Sequence, residues 1–189
     1  MKKTIYLLKI GDIDPAILII LKKNLKWFFK KYKIKVDVLH DQFPLLDSEK
    51  NIIEENYDVI EIKNRLIRQF ERCDYYRILG IMDADIHSRI SKNIFGIAEP
   101  NNKPFASAII SVFRFKEDGI YQRPKNIALF EQRVFKEAIH ELGHTFGLVH
   151  CENPCVMLKS RMIEDVDRKP HDFCEICLKK LNNLLYKSD

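Results

Sequence analysis

Residues 138–157 read AIHELGHTFGLVHCENPCVM, and the rest of the chain is understood outward from them. The stretch holds three of the chain's six histidines, two of its five cysteines and a glutamate beside the first histidine. Ile127, Phe130, Val134, Ala138 and Leu142 lead into it at helical spacing, which predicts a helix from about Asn126 to Phe146. On that helix His140 and His144 are four apart, so their imidazoles stand one above the other and can share one ion. Glu141 lies one residue on, about 100° round the axis, beside such an ion rather than on it. A base for a water held at the ion belongs in that position.

Gly147 follows where a continuing helix would carry the chain away from the ion. Glycine takes the left-handed conformation without strain and turns the chain sharply, so His150 can return as a third ligand. Three imidazoles leave one tetrahedral position open, the arrangement of a catalytic rather than a structural zinc. A bare H-E-x-x-H arises by chance on charged helices, but HELGHTFGLVH fixes five positions over eleven residues. Met157 comes seven residues later in NPCVM; alone it would read as an ordinary core methionine.

At 189 residues the chain is long enough to bury a core without disulfides, and its 46% hydrophobic and 31% charged residues describe a globular protein. The most apolar run, AILIIL at 16–21, is fenced by Asp14 and Lys22, far short of the ~20 apolar residues a membrane helix needs. The N-terminal MKKTIYLLKIGDIDP is interrupted by Lys9 and Asp12 and lacks a small-residue cleavage site, so a cytoplasmic location is expected. In a reducing compartment clustered cysteines are metal ligands rather than cross-links. The net charge of +5 owes much to KKNLKWFFKKYKIK at 22–35. There Leu25, Phe28, Phe29 and Tyr32 recur at helical spacing while the lysines fall elsewhere. An amphipathic helix with a solvated basic face is expected rather than a nucleic-acid surface.

The remaining chain alternates strands and helices. TIYLLKI (4–10) reads as a buried strand, residues 15–31 as a helix with proline in its first turn, and IKVDVLH (34–40) as a second strand. Residues 42–55 read as a surface excursion, and 57–73 as a helix. YYRILGIMD (75–83), IFGIA (94–98) and ASAIISVFRF (106–115) supply three further strands. An α/β (α+β) fold with a mixed sheet and helices packed on it follows.

HELGHTFGLVH with its nearby methionine resembles the metzincin clan of zinc peptidases. The continuation HCENPCVM, the later FCEIC and, more weakly, IFGIAEP upstream are similar to one branch of that clan, the archaemetzincins. The resemblance implies a catalytic zinc held by His140, His144 and His150, and a second zinc held by Cys151, Cys155, Cys174 and Cys177. The cysteines fit that role on their own spacing, a C-x3-C pair and a C-x2-C pair separated by eighteen residues. Four thiolates close the coordination sphere, so this zinc is expected to be structural. His150 and Cys151 would serve different ions, because side chains of neighbouring residues in an extended segment point opposite ways. His171 is expected on the surface, and Cys73 in FERCDYY as a buried small hydrophobe.

The resemblance further implies one metallopeptidase domain over 1–189. Residues 1–147 would form a subdomain with a five-stranded mixed sheet, a backing helix and the active-site helix. Residues 148–189 would hold the Met-turn around Met157, the four-cysteine zinc and a last helix near 175–187. An extended peptide would lie between them and add itself to an edge strand at Ile94–Ala98. The expected reaction is hydrolysis of peptide bonds with Glu141 as general base and two Zn2+ per chain. A zinc-binding protein without peptidase activity, or a hydrolase of a non-peptide amide, stays open beside it. The expected partner is a peptide or protein substrate, with neither nucleic acid nor membrane. Glu164, Asp165, Asp167, Asp172 and Glu175 near the cysteine module argue against nucleic acid.

Overall fold

The computed structural model describes residues 3–89, 94–99, 104–116 and 124–186. Along the chain run β1 (Thr4–Ile10), α1 (Pro15–Phe29), β2 (Lys35–Phe43), β3 (Lys50–Asn51), β4 (Asn56–Asp58) and α2 (Val59–Phe70). They are followed by β5 (Arg77–Met82), β6 (Ile86–His87), β7 (Gly96–Ala98), β8 (Ala106–Ser111), α3 (Ile127–Thr145), α4 (Ile163–Arg168) and α5 (Glu175–Tyr186). Short polar caps start the three long N-terminal helices. Asp14 accepts from the Ala16 N–H at 2.9 Å, Asp58 from the Ile60 N–H at 2.9 Å, and Asn126 from the Leu129 N–H at 3.0 Å.

The main sheet has five strands in the order β2-β1-β5-β8-β7. The first four run parallel and β7 pairs antiparallel with β8, so the sheet is mixed, and of the predicted strand 94–98 only Gly96–Ala98 forms its edge. Parallel strands covered on both faces must be apolar on both, and every residue of β5 and β8 is buried. Alternation assigns the faces. Ile5, Leu7, Leu79, Ile81, Ala108 and Ile110 pack towards α1 and α3, while Leu8, Ile10, Ile78, Met82 and Ile109 pack towards α2. Aromatic contacts seat α1 on α3, with Phe28 5.9 Å from Phe135 and Phe29 5.8 Å from Phe146 between ring centroids.

Several elements differ from the sequence reading. The 42–55 excursion is partly structured: β2 runs on to Phe43, and β3 joins β4 and β6 from outside the excursion in a second, three-stranded sheet. Its strands of two and three residues are too short to carry a periodic signal. The strand read through 115 stops at Ser111 and gives way to a 3-10 turn at Phe113–Phe115. The Ser111 hydroxyl turns the chain there, donating to the Ala84 carbonyl at 2.6 Å and accepting the Phe113 N–H at 3.2 Å. Cys73 is exposed, not buried. The predicted helix would have carried it onto the stripe of Val59, Ile62, Leu66 and Phe70, but α2 ends at Phe70 and Cys73 lies in the turn beyond. Ile127, assigned to the apolar stripe of α3, is 64% exposed as the helix's first residue.

Three charged side chains on α3 hold the segment that leads into α5. Arg133 grips the Asp167 carboxylate with two bonds of 2.7 Å. Lys136 donates to the carbonyls of Val166 and Asp167 at 3.0 and 2.8 Å, and Lys169 pairs with Glu137 at 3.1 Å. Leu181 and Leu185 of α5 then complete the core on the α1–α3 side of the sheet. Among the described residues no helix is long and apolar enough to cross a membrane.

Candidate metal centres

Helix α3 ends in a Schellman turn. The Gly147 N–H reaches the His144 carbonyl at 2.9 Å and the Leu148 N–H the Gly143 carbonyl at 3.0 Å. Gly147 sits at φ +96°, a conformation strained for any side chain, and the reversal it makes returns His150 to the helix end. The ring of His150 lies 5.4 Å from that of His140 and 4.9 Å from that of His144, which are 4.7 Å from each other. One ring nitrogen from each of the three falls within 4.8 Å of the others.

Hydrogen bonds orient two of these rings. His140 Nδ1 lies 2.8 Å from the Val156 carbonyl and His144 Nδ1 2.8 Å from the Leu148 carbonyl. A carbonyl only accepts, so each Nδ1 carries the proton and each Nε2 presents a lone pair. The two Nε2 atoms face each other at 3.1 Å. Two lone pairs at that distance repel unless a cation lies against both, so the donor set fits a metal ion. Burial holds His140 well below the ordinary 6.5, with the Lys169 charge adding to it, and burial lowers His144 and His150 as well. The rings are therefore neutral at neutral pH, the state that binds metal.

Glu141 is 5% exposed, and its Oε2 has no hydrogen-bond partner among the described residues. Burial raises its carboxyl well above the ordinary range, with the Glu137 charge adding to it and Lys169 opposing. Its side chain rests against the edge strand. A Cβ on Gly96 would come within 2.8 Å of Glu141 Cγ and 2.8 Å of the Ile109 carbonyl oxygen, so only glycine lets the two approach. A cleft of about 470 Å³ opens over the histidines. Ile94–Ile97 line one side, Glu137 and Glu141 the floor, and Lys159, Ser160 and Arg161 the rim.

The four cysteines of the C-x3-C and C-x2-C pairs gather into one group, their sulfurs within 4.8 Å of one another. Cys155 Sγ accepts the N–H of Cys174 at 3.3 Å and of Met157 at 3.5 Å, the pattern that stabilises thiolates. Burial pulls Cys174 upward, but hydrogen bonds from the Cys177 backbone and neighbouring thiols outweigh it and bring it down to about 7. Burial lifts Cys177 far above the ordinary thiol range and raises Cys155. Four sulfurs gathered within 4.8 Å of one another fit a cation, which would take all four as thiolates. The Cys151 N–H donates to the Met157 carbonyl at 3.0 Å, closing the segment that carries buried Met157 back beneath the helix end.

His171 stands apart from both groups, exposed and 3.2 Å from the Asp172 carboxylate. Cys73 also joins neither. Sequence reasoning missed Glu137, Lys159, Arg161 and Lys169. For Glu137 a signal existed, since it lies four residues before Glu141 and so on the same face of α3.

Residues 17–183 match peptidase family M54. The archaemetzincin of Pyrococcus furiosus is 34% identical over 194 residues, covering 98% of this chain and 95% of that protein. Among solved structures, the archaemetzincin of Archaeoglobus fulgidus, crystallised with malonate, superposes with a TM-score of 0.78 at 31% identity, covering 94% of this chain and 99% of its own. A zinc-dependent peptidase of Methanocorpusculum labreanum gives 0.74 at 25% identity over 94% of this chain and all of its own.

Proposed function

The chain belongs to peptidase family M54, that of the archaemetzincins, and from that premise we propose that it cleaves peptide bonds in the cleft above His140, His144 and His150, with Glu141 as general base. One observation carries the reading: two Nε2 lone pairs oriented at each other across 3.1 Å, with a buried carboxylate beside them and an edge strand alongside. The three imidazoles would hold a zinc ion, which when bound supplies Lewis acidity, acidifying water and polarising a carbonyl.

The chain's own groups do the rest. The carbonyls of Val156 and Leu148 fix the imidazole tautomers. Glu141 takes a proton from the attacking water and passes it to the leaving amine. β7, an outermost strand of the sheet with no partner on its far side among the described residues, offers that edge to an extended substrate backbone, which aligns the scissile bond along the cleft. The four cysteines would hold a second zinc with a closed coordination sphere, making two per chain. That ion has a structural role: it ties residues 151–177, and so the C-terminal part from 148 on, to the end of α3 in the part formed by 1–147.

The test is cleavage of an unbiased peptide library by zinc-loaded protein, with Glu141→Gln as control. The control should retain zinc and lose activity by about 10²- to 10⁴-fold. Two zinc ions per chain with no peptide cleaved would favour a zinc-binding protein or a hydrolase of another amide.

A further inference from the structure

The cleft is unevenly charged. Its floor carries two carboxylates, Glu141 and Glu137, but Glu137 is bound by buried Lys169 at 3.1 Å. Its rim carries two cations, Lys159 and Arg161, both exposed, and neither has an ion-pair partner among the described residues. The nearby Asp165 feels the Arg161 charge, but that is the weakest of the influences on it. Its carboxylate accepts the backbone N–H groups of Arg161 and Met162 at 2.9 and 3.2 Å and pairs with Arg168 at 3.5 Å. Between the two cations Ser160 lines the same cleft, its hydroxyl shielded from solvent and without a hydrogen-bond partner among the described residues.

Resting on the peptidase reading, we propose that Lys159 and Arg161 make this cleft selective for acidic peptides, binding an aspartate or glutamate side chain within two residues of the scissile bond. An ammonium and a guanidinium two residues apart offer a carboxylate charge-assisted donors, and the arginine presents them as a planar fork. The two charges stand at the mouth of a concave site, where they bias which side chains enter, and being exposed they are screened by salt. The same two charges act against a basic side chain, so selection works by repulsion as well as attraction.

The experiment uses zinc-loaded full-length protein and two quenched fluorogenic peptide mixtures. These are identical except that the two positions on either side of the central bond carry glutamate in one and lysine in the other. The ratio of kcat/KM should favour the glutamate set by at least about tenfold and shrink as salt rises from low to about 0.5 M. The double variant Lys159→Glu/Arg161→Glu should reverse it, and Lys159→Ala/Arg161→Ala should erase it. Both positions are solvent-exposed, so unchanged melting and zinc content confirm that the variants are folded. Binding of the same peptides to Glu141→Gln protein, followed by anisotropy, separates the two ideas. Glutamate peptides bound selectively but never cleaved would sink the peptidase reading and keep the acidic selectivity. Cleavage of both sets alike, or a preference that survives charge reversal, overturns the selectivity alone. Neither cleavage nor selective binding overturns both.

Discussion

Lys169 Nζ lies 3.1 Å from Glu137 Oε2, with the two side chains only 1% and 5% exposed, one helical turn before Glu141. The pair joins residues 32 apart and sits beneath the cleft. Removing only the cation would strand a buried carboxylate. Lys169→Met should therefore cost ~3–5 kcal/mol, whereas Lys169→Met with Glu137→Leu, which removes both charges and keeps the volume, should recover most of it. Denaturant midpoints of the two variants decide the matter. A double variant no more stable than the single one would mean that Lys169 acts through something other than this pair.

The contact between Gly96 and Glu141 makes a second prediction. A methyl group at Gly96 would meet Glu141 Cγ at 2.8 Å, and the Ile109 carbonyl blocks retreat on the other side. The carboxylate must then shift, and a misplacement of about 1 Å at a reacting group can lower the rate by roughly 10²-fold. Gly96→Ala should lower kcat by about that factor while KM and zinc content stay near wild type. A variant that binds substrate poorly but turns it over normally would instead assign Gly96 to the peptide-binding edge.

Protonation of the histidine site gives a third. Burial holds His140, His144 and His150 below the ordinary 6.5 in the folded chain. As pH falls through 6.5 the unfolded chain takes up protons first, so the folded state loses stability from there downward. Above that pH the three rings are neutral in both states and contribute no slope. Protein stripped of metal at the histidine site but keeping its cysteine-bound ion should thus show a denaturant midpoint that is flat with respect to these groups above about pH 7 and falls below about pH 6.5. His140→Ala should flatten part of the fall. A slope unaltered by that substitution would show that the ring is not held neutral by the fold.

The parts of this architecture legible in the sequence are those whose geometry is local. His140, His144, Gly147 and His150 are related by one helix and one turn, so their spacing specifies their placement. The apolar runs indicate strands and a mixed sheet, but its five-stranded form and the edge position of the 94–98 segment, of which β7 takes up Gly96–Ala98, are implied by the resemblance to the archaemetzincins. What was not legible depends on long-range packing. Lys169 reads as a solvated lysine beside Pro170 until Glu137 is folded against it. Lys159 and Arg161 read as ordinary surface charges until the Schellman turn and the cysteine cluster set their segment over the cleft. Cys73 was misread because a helix end is set by which residues find partners, and periodicity alone extended α2 too far.

The two metal centres should fail differently. The four cysteines bring together residues 151–177, a stretch with one short helix, α4, of six residues, and the start of α5. The thiolate-bound ion would contribute folding energy directly there, since a site assembled only in the folded chain couples binding to folding. Cys174→Ser should therefore lose one zinc and destabilise the fold by several kcal/mol. At about 2–4 °C per kcal/mol for a chain of this size, the melting temperature would fall by roughly 10 °C. Activity should fall too, because His150 adjoins Cys151 and the Cys151 N–H is bonded to the Met157 carbonyl at 3.0 Å. His140→Ala should also lose one zinc and abolish hydrolysis, yet melt close to wild type, because buried Ala138, Ile139 and Leu142 still pin α3 to the core. Zinc counts and melts on the two variants, run side by side, test the assignment. If the cysteine variant melts like wild type while the histidine variant unfolds, the structural and catalytic roles are reversed.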